Sequence, residues 1–157
     1  MQTVQYTVQR VPVERTLALR KAVLRPHLSD SEPYTLEDDD LPTTVAFGAL
    51  TPEDQVIGVA RLSSEPPPFA EHQRPSWRLR GMATDPEVRN RGIGAALLKT
   101  VTGYVAGAGG GILWANARLA AKHLYERAGM QPWGVVWEEP DIGPHVVMWL
   151  DVPTARA

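Results

Sequence analysis

The chain has 157 residues, 43% of them hydrophobic and 22% charged, as expected for one soluble globular domain spanning residues 1–157. Its formal net charge of -2 argues against a nucleic-acid partner, and the absence of cysteine excludes disulfides and thiolate chemistry. We see neither a secretory signal nor an apolar run long enough to span a membrane. These features predict a cytoplasmic protein, monomer or homodimer, that acts on a small molecule or a protein surface.

The first half of the chain predicts a strand, a helix and a hairpin. Apolar and polar residues alternate over 4–8, and apolar residues recur at helical spacing from Pro12 to about Arg25, where Pro26 ends the pattern. The acidic stretch 28–42 predicts a surface loop or a short helix. A turn at 51–54 joins two strands, residues 44–50 and 55–63.

The second half alternates strands with helices. Strands are predicted at 77–83, 112–115, 133–138 and 145–150, and helices at 91–106 and 119–128, the last ended by Gly129. A proline-rich loop precedes the first of these strands and contains His72. This alternation indicates an α/β fold with a mixed central sheet of about seven strands flanked by helices.

A glycine-rich turn follows the strand at 77–83. The run Arg89, Asn90, Arg91, Gly92, Ile93, Gly94 opens a helix, where backbone N–H groups lack internal partners and the helix dipole adds positive potential. Glycines without side chains let a diphosphate approach this backbone closely. Ala95 and Ala96 stand where a P-loop needs lysine and serine, and Leu97 replaces the third glycine of a dinucleotide fingerprint. The alternative is a plain helix start with solvated arginines.

This turn resembles the acetyl-CoA signature of the GNAT acetyltransferase superfamily. A second match lies downstream, where the run from Leu113 to Arg118 and the run from Leu124 to Met130 are similar to the strand, helix and ending of that family. A looser likeness to the ElaA-like branch rests on Leu17 to Arg20, the acidic residues 38–40, and Ile142 to His145.

The resemblance implies a three-layer fold with two splayed central parallel strands, in which acetyl-CoA donates an acetyl group directly to an amine, with no metal. It implies that backbone groups at Met82, Ala83 and Thr84 pair with the pantetheine arm. The turn Arg89, Asn90, Arg91, Gly92, Ile93, Gly94 would then hold the pyrophosphate.

Three residues are the candidates for chemistry. By resemblance, Tyr125 donates to the CoA sulfur, although an amphipathic packing tyrosine is the alternative. Asn116 could hold pantetheine or orient a water, or simply satisfy a strand end. His145 could act as general base, since histidine titrates near neutral pH, or be structural. Glu138 and Glu139 are alternative bases.

The acceptor residues are less defined. Arg20, Arg25 and His27 near the end of the first helix could hold a carboxylate or phosphate, or form a solvated face. Arg118 and His145 are further candidates. We expect the acidic residues Asp38, Asp39 and Asp40 to be solvated, although they could attract a cationic amine. We expect the tryptophans Trp114, Trp133, Trp137 and Trp149 to build the core and sheet faces, although any one could line the acceptor pocket.

Three readings of the whole chain stay open at this point. The first is an N-acetyltransferase acting on a primary amine of a small molecule or peptide. The second is an inactive CoA-binding sensor or regulator, and the third is an interaction protein that uses the fold as a scaffold.

Overall fold

A computed structural model describes residues 4–69 and 74–155; His72 lies outside the described residues. Its helices and strands are β1 (Thr7–Val11), α1 (Leu17–Leu24), β2 (Val45–Leu50), β3 (Val56–Ser64), β4 (Ser76–Thr84), α2 (Ile93–Gly107), β5 (Gly111–Arg118), α3 (Lys122–Arg127), β6 (Gln131–Glu139) and β7 (Gly143–Val152). Short 3-10 turns lie at Val13–Thr16, Pro86–Val88 and Leu119–Ala121.

The strands form one mixed sheet in the order β1-β2-β3-β4-β5-β7-β6. β1 with β2, β2 with β3, β5 with β7 and β6 with β7 are antiparallel, whereas β4 and β5 are parallel. The predicted α/β architecture and the predicted order of elements are therefore confirmed. No helix among residues 4–69 and 74–155 is both long and apolar enough to cross a membrane.

The chain divides into two compact units, each described by itself here. The first unit contains the residues up to Ser63 together with Gly81–Val101. Its interior is apolar and almost fully buried, with Val59 and Leu62 from β3 and Leu97 and Leu98 from α2 among its largest contributors. Burial of such side chains is the main favourable term in folding, about 1.5–3 kcal/mol each.

The second unit contains Ser64–Arg80 and the residues from Thr102 onward. β5 and β7 pair along their full length, from Gly111 opposite Val152 to Arg118 opposite His145. Leu113 and Met148 are completely buried in this unit. The prediction of a single domain stays a prediction beside this two-unit division.

Several element ends differ from the predicted ones. β1 begins at Thr7 and not Val4, because its partner β2 ends at Leu50, which is opposite Thr7. α2 begins at Ile93 and not Arg91, because Asn90 and Gly92 have positive φ angles of 64° and 81°, which a right-handed helix does not allow. β5 extends three residues beyond the predicted Ala115, to Arg118, because β7 supplies a partner for every residue.

Gly58 in β3 tests the packing of the first unit. A Cβ atom there would lie 2.6 Å from Cγ2 of the buried Ile93, so we expect Gly58→Ala to lower the free energy of unfolding by about 1–3 kcal/mol through overpacking. Gly103→Ala in α2 is the matched control, because nothing lies within 4 Å of its Cβ position. The helix preference for alanine should raise stability there by about 0.5–1 kcal/mol. Urea denaturation measures both; equal effects would contradict the close packing at Gly58.

Candidate active site

The turn between β4 and α2 lies in the first unit and is exposed from Arg89 to Gly92. Asp85 starts it: its N–H donates to the Ile57 carbonyl oxygen (2.9 Å), and its carboxylate accepts from the Glu87 N–H (3.0 Å). Asn90 and Gly92 both have left-handed backbone, and a Cβ at Gly92 would meet nothing within 4 Å. The local conformation therefore exposes the backbone of this turn to solvent.

The start of α2 offers donors to an anion. The first helical bond runs from the Ala96 N–H to the Gly92 oxygen (3.0 Å), so the N–H groups of Ile93, Gly94 and Ala95 lack an acceptor within the helix. No acidic residue occupies the first turn of α2. The Ile93 side chain is buried, so Ile93 can offer only its backbone to a ligand. This combination of free N–H groups and positive helix potential suits a diphosphate.

β4 carries the other predicted backbone contacts. Its parallel register with β5 covers Ser76 to Arg78, opposite Ile112 to Trp114, and β4 then continues to Thr84. Met82 and Thr84 are half-buried and Ala83 is buried, the alternation of a strand with one covered face. The backbone of this last part of β4 is the predicted binding edge for pantetheine.

One face of the second unit carries the polar candidates. Residues opposite each other in an antiparallel ladder project to the same face of the sheet. Arg118 in β5 lies opposite His145 in β7, which lies opposite Trp137 in β6. Asn116 follows the same alternation along β5 and is exposed. The structure therefore brings Asn116, Arg118 and His145 to one face of the β5-β7-β6 sheet.

His145 is buried and held in one orientation. Its Nδ1 lies 2.8 Å from the Gly143 carbonyl oxygen, which can only accept a hydrogen bond. In the neutral ring the proton therefore sits on Nδ1, and Nε2 keeps its lone pair. Trp137 packs beside the ring at 5.7 Å between centroids. The geometry equips Nε2 of His145 to accept a proton.

Tyr125 in α3 is buried, and burial raises the pKa of its hydroxyl to about 12, against a smaller opposing effect of the positive charge of Arg118. The helix ends just after it: the Met130 N–H donates to the Tyr125 carbonyl (3.1 Å), and Gly129 takes a left-handed φ of 95°. A hydroxyl with this pKa stays protonated at neutral pH and is a hydrogen-bond donor.

The candidates at the end of α1 have different surroundings. Arg25 is half-buried; it donates to the Leu24 carbonyl oxygen (2.8 Å) and stacks on Tyr34, 4.6 Å from the ring centre. His27 is exposed. The predicted role of Arg25 and His27 in binding the acceptor substrate stays a prediction.

Arg20 is different, since its side chain has no solvent exposure and pairs with Asp39 at 3.2 Å. We assign it to this pair and not to the acceptor. The expectation that Asp38 and Asp39 are solvated is wrong, because both accept from the buried Arg61. A buried guanidinium needs a carboxylate partner, and these two supply it.

The sequence reading missed Arg61, and a signal for it was present. Arg61 lies between Ala60 and Leu62 after an apolar run in β3, where a charged residue is rarely buried without a partner. The acidic residues 38–40 were the candidate partners for the Arg61 guanidinium. Trp133, one of the tryptophans predicted for the core and sheet faces, lies in β6 outside the core: its side chain is 43% exposed and packed on one side by Phe69 at 5.1 Å between centroids.

Among residues 4–69 and 74–155, no group of three or more histidine or acidic side chains is placed to bind a metal ion.

Comparisons with known proteins agree with this fold and these motifs. The model of the acetyltransferase (GNAT) family matches residues 14–130. The uncharacterized N-acetyltransferase YitI of Bacillus subtilis (strain 168) is 31% identical over 149 residues, covering 95% of this chain and 98% of YitI.

Solved structures give the same fold. The histone acetyltransferase HPA2 and related acetyltransferase from Corynebacterium glutamicum has a TM-score of 0.70 at 19% identity, covering 98% of this chain and 99% of that one. The ribosomal-protein-S18-alanine N-acetyltransferase of Escherichia coli has a TM-score of 0.68 at 16% identity, covering 97% of both chains.

The family model and the relative YitI identify an acyltransferase, and the structure gives it an α/β architecture. The chain belongs to the GNAT acetyltransferase family.

The state of the Tyr125 hydroxyl can be measured directly. Because folding raises its pKa from 10.0 to about 12, the near-ultraviolet absorbance change of the wild type and of Tyr125→Phe should coincide through pH 10 and separate only near pH 12. The unfolded chain in denaturant, where Tyr125 ionises normally, is the control. The same shift leaves stability unchanged below pH 10 and lowers it as the pH rises from 10 toward 12. A Tyr125 ionisation near pH 10 in the folded protein would contradict its burial.

Proposed function

We propose that the protein transfers the acetyl group of acetyl-CoA directly to a primary amine of a small molecule or peptide. The observation that carries the proposal is the start of α2 in a chain of the GNAT family, where the N–H groups of Ile93, Gly94 and Ala95 lack an acceptor within the helix beside an exposed turn.

In the first unit, the turn from Arg89 to Gly94, exposed as far as Gly92, would hold the diphosphate. The helical N–H groups donate to its oxygens, and the guanidinium groups of Arg89 and Arg91 supply charge. The absence of a side chain at Gly92 leaves the backbone open to this contact. The backbone of Met82 and Thr84 would bind the pantetheine arm as a neighbouring strand does, with Ala83 facing inward.

In the second unit, two groups would handle the protons. Acetyl-CoA supplies an activated thioester. Nε2 of His145 takes the proton of the attacking amine, because its Nδ1 proton is committed to Gly143. As the amide C–N bond forms and the C–S bond of the thioester breaks, the Tyr125 hydroxyl would donate a hydrogen bond to the departing CoA sulfur, which stabilises the negative charge there. Asn116 and Arg118 lie on the His145 face and would hold pantetheine and the acceptor, with Arg25 and His27 as further acceptor contacts.

Cofactor binding tests the first part of this proposal. We expect Gly92→Val to abolish measurable binding of acetyl-CoA by calorimetry, because a side chain there covers the open backbone. Gly134→Val is the matched control, since Gly134 also has a left-handed φ (77°, against 81° at Gly92) and an open Cβ position, but lies in β6. Loss of binding in both variants would point to backbone strain alone and would contradict the turn as the binding site.

Turnover tests the second part. We expect Tyr125→Phe and His145→Ala each to lower kcat by about 10²-fold, the effect typical of a lost general acid or base. His123→Ala is the control, because the His123 side chain is 91% exposed and pairs only with Glu126 on its own helix. Release of free CoA with a panel of primary amines is the assay. Acetyl-CoA binding without turnover on any amine would favour the sensor reading, and unchanged kcat in both variants would remove these residues from the mechanism.

A further inference from the structure

Gly81 interrupts the extended backbone inside β4. The strand runs from Ser76 to Thr84, yet Gly81 has a φ of 70°, in the left-handed region that only glycine adopts at little cost. Gly81 is buried. Glycine alone does not choose this conformation, because it populates both signs of φ about equally. Something beside it must select the left-handed form.

Arg20 occupies the space beside Gly81. A Cβ atom at Gly81 would lie 3.1 Å from Nε and 3.3 Å from Cδ of Arg20, closer than ordinary van der Waals contact. Arg20 Nε has no hydrogen-bond partner among residues 4–69 and 74–155, so this edge of the guanidinium is packed against the backbone of β4. The position of the Arg20 side chain therefore decides how close β4 can come at Gly81.

Arg20 is itself held rigidly. Its Nη1 donates to Thr16 Oγ1 and to Asp39 Oδ1, both at 3.3 Å, and its Nη2 donates to Asp39 Oδ2 at 3.2 Å. Asp39 also accepts from Nε of Arg61 and from the Leu36 N–H at 2.8 Å. With both fork nitrogens bound to one fixed carboxylate, the guanidinium has a single orientation.

The Asp39 carboxylate in this network keeps its negative charge at neutral pH. Burial by itself raises the pKa of the Asp39 carboxyl, but the Leu36 N–H and the Arg20 and Arg61 guanidinium groups outweigh burial, and the net pKa is lowered. Asp38 adds a second carboxylate to Arg61. The buried guanidinium groups of Arg20 and Arg61 therefore pair with the carboxylates of Asp38 and Asp39.

We infer that Arg20 is a positioning residue for the cofactor: held by Asp39 and Thr16, it packs on Gly81 and fixes the course of β4 into Met82, Ala83 and Thr84. This inference rests on the proposed function, in which the backbone of those three residues binds acetyl-CoA. It gives Asp39 and Arg61 a supporting role, because Asp39 holds Arg20 and is itself held by Arg61. Lysine could replace the charge of Arg20 but not the planar fork and its Nε edge.

Calorimetry and steady-state kinetics on the full chain test this role, with acetyl-CoA as the probe. We expect Arg20→Lys to raise the Kd and KM for acetyl-CoA by about tenfold, because the β4 backbone shifts relative to its ligand. The kcat at saturating acetyl-CoA should stay near the wild-type value. Arg15→Lys is the matched control, since Arg15 pairs with Asp54 at 3.2 Å on the exposed surface of the same unit. We expect no change there.

Comparing the change in KM with the change in kcat distinguishes a positioning role of Arg20 from a general loss of stability. A variant that only unfolds in part would lower kcat through a smaller active fraction and leave KM unchanged. Circular dichroism and urea denaturation establish which variants are folded. A folded Arg20→Lys protein with wild-type Kd and KM would overturn the inference.

A second variant keeps the test decisive if Arg20→Lys does not fold. Gly81→Ala retains Arg20 but places a methyl group against it, so it should also raise the Kd for acetyl-CoA. Wild-type affinity in this variant would overturn the inference. Failure of the wild-type protein itself to bind acetyl-CoA is a distinct outcome, since it would defeat the proposed function on which the inference rests.

Discussion

Two arginine side chains without solvent exposure, Arg20 and Arg61, impose the strongest physical constraint on the first unit. A buried cation without a partner costs several kcal/mol, so the chain must bring carboxylates to these groups. Asp38 and Asp39 meet that requirement, and by doing so they anchor the segment between α1 and β2, which has no helix or strand of its own. The Thr44 hydroxyl adds a further tie through the Asp38 carbonyl at 2.6 Å.

The second unit depends on a different constraint, the full-length pairing of β5 with β7. This ladder sets which residues share a face, and it places Arg118 opposite His145 although 27 positions separate them in the chain. Local interactions then set the protonation of the individual side chains. The Gly143 carbonyl selects the tautomer of His145, and burial keeps Tyr125 protonated.

Much of the fold could be predicted from the sequence because its signals are local. Pro26 ends the α1 pattern, Gly129 ends α3, and the glycine turn marks the strand-to-helix junction. The buried pairs could not be predicted with the same ease, because Arg61 and Asp39 are distant in the chain and only the fold brings them together. The left-handed φ of Gly81 could not be predicted either, because a glycine within a strand pattern is compatible with both signs of φ. The ElaA-like branch and the roles of the site residues stay predictions.

Direct detection of the acetylated product is the most decisive measurement for this account. Acetyl-CoA labelled in its acetyl group would be incubated with the protein and a broad pool of primary amines, and both the amide product and the free CoA thiol would be quantified. The account predicts labelled amide on at least one amine, free thiol in equal amount, and no acetyl group on the protein as an intermediate. Firm binding of acetyl-CoA with no labelled amide from any amine would contradict it.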